Sequence, residues 1–110
     1  MDILSAPSAP AAVGPYSHAV RAGSLLFCSG QVALHPETGA MIGDDVEAQT
    51  RQVFTNIRAV LATAGAGLSD VVKTTVFLDT MDDFGAMNAV YAEAFGDLAG
   101  IALAALIGWG

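Results

Sequence analysis

The stretch Asp45 to Leu78, DVEAQTRQVFTNIRAVLATAGAGLSDVVKTTVFL, decides the fold because its hydrophobic period changes once, across Gly65 and Gly67. Before the glycines, Val46, Val53, Ile57, Val60, Leu61 and Ala64 recur at spacings of three, four or seven, which places them on one stripe of a helix. Asp44 or Asp45 stands where a carboxylate can accept the free N–H groups of the first turn, and Gly65 ends the run. After the glycines, Val71 to Leu78 is β-branched and aromatic with partial alternation, the composition of a central strand.

Toward the C-terminus, Asp82 or Asp83 opens a second helix in which Phe84, Met87, Tyr91, Ala94 and Phe95 share a face, and Gly96 stops it. Toward the N-terminus, His18–Arg21 and Leu25–Ser29 flank Ala22-Gly23-Ser24 and predict a β-hairpin. A third strand is expected at Gln31–Leu34, or a continuation of the second through a bend at Gly30. His35-Pro36-Glu37-Thr38-Gly39 then closes that edge as a turn. The Pro-, Ser- and Ala-rich segment from Ser5 to Ala12 has too few apolar anchors for an element of its own and reads as an ordered arm. Strands, helix, strand, helix: this order indicates an α+β fold with two helices on one face of a mixed sheet. The strands are apolar on both faces, so the face without helices is expected to meet another subunit.

Composition bounds the rest. At 110 residues the chain supplies one core, so residues 1–110 read as a single domain. It is 54% hydrophobic and 14% charged, ample for a packed interior. The net charge is -7 and the four cations, Arg21, Arg51, Arg58 and Lys73, are scattered, which argues against nucleic acid as a partner. The longest apolar run, Leu98–Trp109, is shorter than the roughly 18 residues of a membrane helix, and the first residues lack the pattern of a secretory signal. The expectation is a cytoplasmic protein with no membrane contact.

Few residues offer chemistry unaided. Ser17 and His18 are neighbours, and on an extended chain their side chains diverge, so they make a poor nucleophile and base. His35 reads as a solvated turn residue, and two histidines without a spaced carboxylate do not make a metal site. Cys28, the single cysteine, follows Leu25-Leu26-Phe27 with no cation beside it and is expected to be buried packing rather than a reactive thiol. The carboxylates Asp79, Asp82 and Asp83 read as helix caps. Gly65-Ala66-Gly67 follows a helix and precedes a strand, the reverse of a phosphate loop. Gly14-Pro15-Tyr16 and Ser29-Gly30-Gln31 remain: a turn presenting a phenol, and a glycine that lets a ligand approach the backbone.

These two motifs fall in a longer pattern. Ala11-Ala12-Val13-Gly14-Pro15-Tyr16-Ser17-His18-Ala19-Val20 resembles the N-terminal motif of the RidA (YjgF/UK114) family. Phe27-Cys28-Ser29-Gly30-Gln31 with Pro36-Glu37-Thr38-Gly39 resembles its second motif. Asp44–Asn56, Val71–Leu78 and Asp82–Tyr91 are similar to its first helix, strand and second helix, in register from about Ala9 to Gly96. The resemblance implies a chorismate-mutase-like fold and a homotrimer that binds small anionic metabolites in clefts between subunits. It implies hydrolysis of 2-imino or enamine acids to 2-keto acids and ammonia, with no cofactor and no metal. Tyr16 matches the pocket tyrosine, Ser29 and Gly30 the pocket wall, and Asn88 a helix asparagine near the cleft. In the family an arginine grips the substrate carboxylate and a late glutamate orients water. Residues 97–110 diverge from that pattern and carry neither, since no Arg or Glu follows Glu93. Deaminase activity is therefore expected to be reduced or lost, with a non-catalytic trimeric binding module as the alternative. The tail itself suits one replacement strand or a short helix.

Overall fold

In the computed structural model, which describes residues 2–12, 16–96 and, as backbone alone, 102–107, the first helix, α1, runs Val46–Ala62. Asp45 is its cap: the carboxylate accepts from the Ala48 N–H at 2.7 Å. The helix gives way at Thr63, and Gly65 takes the left-handed conformation, φ +70°, that turns the chain back. Between helix and strand a single 3-10 turn, Leu68–Asp70, uses the Asp70 carboxylate to accept the Gly67 N–H. This turn takes the start of the expected strand, so β4 runs Lys73–Leu78 and Val72 is exposed.

The second helix, α2, spans Phe84–Phe95. Asp83 occupies its cap position but makes no side-chain bond there. The capping falls instead to Thr80, whose hydroxyl accepts from the Asp82 N–H and starts the 3-10 turn Met81–Asp83 that feeds α2. Gly96, φ +61°, closes the helix.

The hairpin forms as β2 (Ala19–Ala22) and β3 (Leu25–Cys28), and β1 (Asp2–Leu4) adds antiparallel to β2. A strand of three residues is too short to show a period, which is why β1 escapes a reading of the sequence. Gln31–Leu34 is not a strand; its one ladder contact is the bridge from Leu34 to Met41. The tail forms β5, Ala102–Ile107, parallel to β4 throughout. Both strand senses are thus present, but in two hydrogen-bonded units, β1-β2-β3 and β4-β5. The turn expected at Gly14-Pro15 and positions 97–101 and 108–110 of the tail lie outside the described residues.

The helices form one layer. Val60 packs on Ala6, Ala9 and Ala19, with Leu4, Leu26 and Ala59 around them. Phe54 turns from the predicted stripe toward α2 and meets Tyr91 and Phe95 edge-on, with ring centroids 5.8 and 5.4 Å away. The Tyr91 hydroxyl meets that of Thr74 at 2.9 Å, which orients β4 beneath α2. Leu26 and Thr74 face the helices, so Phe27, next to Leu26, and Phe77, three positions along β4 from Thr74, point the other way. Phe27 is 61% exposed and Phe77 65%, with Ile3 in the same row as Phe27 at 67%.

Candidate functional site

The cleft begins at the end of β3. There the Ser29 N–H donates to the His18 carbonyl at 3.0 Å and the Ser29 hydroxyl to the Ser17 carbonyl at 2.5 Å, so one serine ties both residues after Tyr16 to the strand. Gly30 follows with an ordinary negative φ. A Cβ built on it would meet nothing within 4 Å, so the backbone does not demand glycine there; the absent side chain leaves the cleft open. Gln31 and Val32 continue the wall, and their segment is held from behind by Asn56.

Asn56 is fully buried in α1. Its amide donates to the carbonyls of Val32 and Leu34 at 3.1 and 3.0 Å, while its oxygen accepts from Gln52 at 2.9 Å. These bonds take the place of a sheet ladder, and explain how Gln31–Leu34 stays ordered without being a strand. The sequence held a signal for this residue: Asn56 falls three after Val53 and four before Val60, a polar side chain on an apolar stripe.

The opposite wall is the arm. His18, buried, accepts the Ala6 N–H on Nδ1 at 2.8 Å and lies 2.7 Å from the Pro10 carbonyl through Nε2, so Nε2 carries the proton. Pro10, Ala12, Tyr16, His18, Gly30 and Gln31 together enclose about 40 Å³. That is room for about one water, whose share of liquid volume is about 30 Å³. The lining has no charged side chain among the described residues, and Tyr16 is half exposed at its mouth.

Of the expected site residues, Tyr16 and Gly30 line this cleft and Ser29 braces it from below. Asn88 is exposed on α2 and is not part of the lining. Cys28 is exposed rather than buried, since β3 has no strand on its outer edge in the described sheet. The shielding it retains raises its thiol above the ordinary value, which disfavours the thiolate. His35 is not simply solvated; half-buried, its Nδ1 accepts the Glu37 N–H at 3.1 Å and organises the turn.

A larger hollow of about 250 Å³ lies between the helices, lined by Arg51, Thr55, Arg58 and Glu93 among others. Its charges are largely spent on each other. Arg51 bridges Glu93 at 2.5 Å and Glu47 at 3.1 Å, which raises the guanidinium further and holds the Glu93 carboxyl below its usual range. Arg21 donates to the Ala64 carbonyl at 3.1 Å. Neither arginine reaches the Tyr16 cleft. Among the described residues no group of three or more His, Cys, Asp or Glu could hold a metal, and no helix is long and apolar enough to cross a membrane.

A small α+β protein with a helix layer, a bare sheet face and a half-open cleft at the Tyr16 and Gly30 motifs is the class these features define. The family described as Endoribonuclease L-PSP matches residues 6–106, past Gly96 and into β5. The chain belongs to that family, the RidA/YjgF family, and has its chorismate-mutase-like fold. A RutC family protein of Pyrococcus horikoshii is 48% identical over 96 residues, 87% of this chain and 76% of that protein. A 2-iminobutanoate/2-iminopropanoate deaminase of Salmonella typhimurium is 46% identical over 92 residues, 84% of this chain and 70% of that protein. The crystal structure of RidA from an Antarctic Psychrobacter superposes with a TM-score of 0.90 at 39% identity, covering 96% of this chain and 85% of that one.

Proposed function

We propose that this chain assembles as a homotrimer in which the Tyr16 cleft of each subunit is completed by its neighbour, and that the completed cleft binds small 2-imino and 2-oxo acids. The observation that carries this is the cleft itself: Tyr16 and Gly30, both in motifs shared with the family, converge on an opening too small and too open to enclose even a four-carbon acid within one subunit. The bare side chains Ile3 and Phe27 on one sheet and Phe77 on the other supply the apolar surface on which a neighbour would sit.

Deamination of such an imine needs a cation for the carboxylate and a group that orients water. Within one subunit the lining has no cation and no carboxylate, and no Arg or Glu follows Glu93. The chemistry is accordingly weak. Losing a water-orienting base costs about 10² to 10⁴ in rate, and losing a charge-assisted contact to the carboxylate costs about 1.5–3 kcal/mol. 2-Iminobutanoate generated in place, with ammonia release followed against buffer, tests this: release above buffer but far below that of a full deaminase is expected. Release equal to buffer would leave a binding module that keeps the cleft without the reaction. Nucleic acid is outside this reading, because four scattered cations on a chain of net charge -7 offer phosphates no surface.

A further inference from the structure

The arm from Ser5 to Ala12 forms one wall of the cleft, yet little in its own composition explains why it lies there. Its buried residues are Ala6, Ala9 and Pro10, small side chains that bring little apolar area to the core. Its one internal backbone bond runs from the Ala9 N–H to the Ala6 carbonyl. The remaining polar ties at its two ends both go to one side chain. His18 takes the Ala6 N–H on Nδ1 and gives its Nε2–H to the Pro10 carbonyl, four residues further along the arm. Only the neutral Nε2–H tautomer can make both bonds, since the other neutral form would set a donor against the Ala6 donor and a bare nitrogen against the Pro10 carbonyl. The same ring contributes a face to the cleft beside Tyr16.

We propose that His18 is a positioning residue of the cleft: locked as its Nε2–H tautomer, it clasps the arm and so sets the wall of Pro10, Ala11 and Ala12 against which a small carboxylate ligand rests. The ligand part of this rests on the function proposed above; the clasp does not. His18 itself does no chemistry, since both ring nitrogens are spent on backbone groups.

The test uses the full chain and 2-oxobutanoate as the probe. In the wild type, nitrogen-15 spectra of the imidazole should show a protonated Nε2 and an unprotonated Nδ1; the opposite tautomer would overturn the clasp. His18→Leu keeps the volume and removes both bonds. It should speed hydrogen exchange at the Ala6 amide and weaken 2-oxobutanoate binding, each by about tenfold, the effect of about one lost hydrogen bond. His18→Gln, whose amide offers both a donor and an acceptor, should recover most of both, a rescue that a mere space-filling role for the ring would not give. Unchanged Ala6 exchange and unchanged affinity in His18→Leu would refute the proposal. If the wild type fails to bind 2-oxobutanoate, the ligand class falls, and Ala6 exchange alone decides whether His18 holds the arm. Should His18→Leu not fold, the wild-type tautomer and the exchange rates of His18→Gln decide the matter.

Discussion

Replacing Asn56 with leucine would improve the apolar stripe of α1 on paper and damage the protein in fact. The Val32 and Leu34 carbonyls would lose their donor, and Gln52 its partner. We expect about 2–3 kcal/mol lost in chemical denaturation, the cost of leaving buried polar groups unpaired, together with faster amide exchange along residues 31–34. Gly30 gives the opposite case. Its φ is not in the left-handed region and its Cβ position is empty, so Gly30→Val should melt within about 2 °C of the wild type while binding of 2-oxobutanoate falls at least tenfold. A parallel loss of stability and binding would show that the glycine serves the backbone instead. Gly43 differs from both: at φ +81°, and with any added Cβ falling 2.7 Å from that of Ala48, it is required by the approach of the chain to α1.

The two helices are joined by an aromatic cluster and by the Arg51–Glu93 pair, and these respond differently to conditions. Phe54, 6% exposed, has no way to exchange its contacts with Tyr91 and Phe95 for water without loss. Phe54→Ala should cost about 3–5 kcal/mol, read from the denaturation midpoint. The ion pair is exposed and salt will screen it. Because Arg51 lowers the folded-state pKa of Glu93, the pair's stabilisation is present above the ordinary glutamate value near 4.5 and is lost as pH falls through the lower folded value. Glu93→Gln should therefore lower stability slightly at neutral pH in low salt and leave it unchanged in acid below the folded value, flattening this part of the profile. A variant with the wild-type slope would show that Glu93 is not paired in solution. The helices themselves were legible in the spacing of their apolar residues. Which side chain caps the entry to α2 was not, because Thr80, Asp82 and Asp83 all have capping chemistry and only the path of the chain selects Thr80, at the 3-10 turn that precedes the helix.

Phe27 and Phe77, one on each sheet, are both more than half exposed, and exposed apolar surface of this kind marks an interaction site. The proposed neighbour is a second copy, closing to a trimer. Light scattering should give three times the chain mass for the wild type. Phe27→Asp, a charge set into that face, should yield a monomer with unchanged helical circular dichroism and no binding of 2-oxobutanoate, since half of each cleft departs with the neighbour. A monomeric wild type that still binds the acid would remove the shared-cleft reading.

Residues close together in the chain were enough to read α1, α2, β4 and the hairpin, because each is set by period, cap and turn chemistry within a few positions. The family motifs offered Tyr16, Ser29, Gly30 and Asn88 as candidates from order alone, and of these Tyr16 and Gly30 line the cleft. What needed the folded molecule was every relation across distance. His18 reaches back to Ala6 and Pro10, Asn56 reaches across to Val32 and Leu34, and β5 settles as a strand beside β4 where its own alanine-rich residues fit strand or helix equally. A buried polar group takes whichever partner the packing brings within reach, and a short apolar run takes the form of the edge it meets, so neither is written in local order.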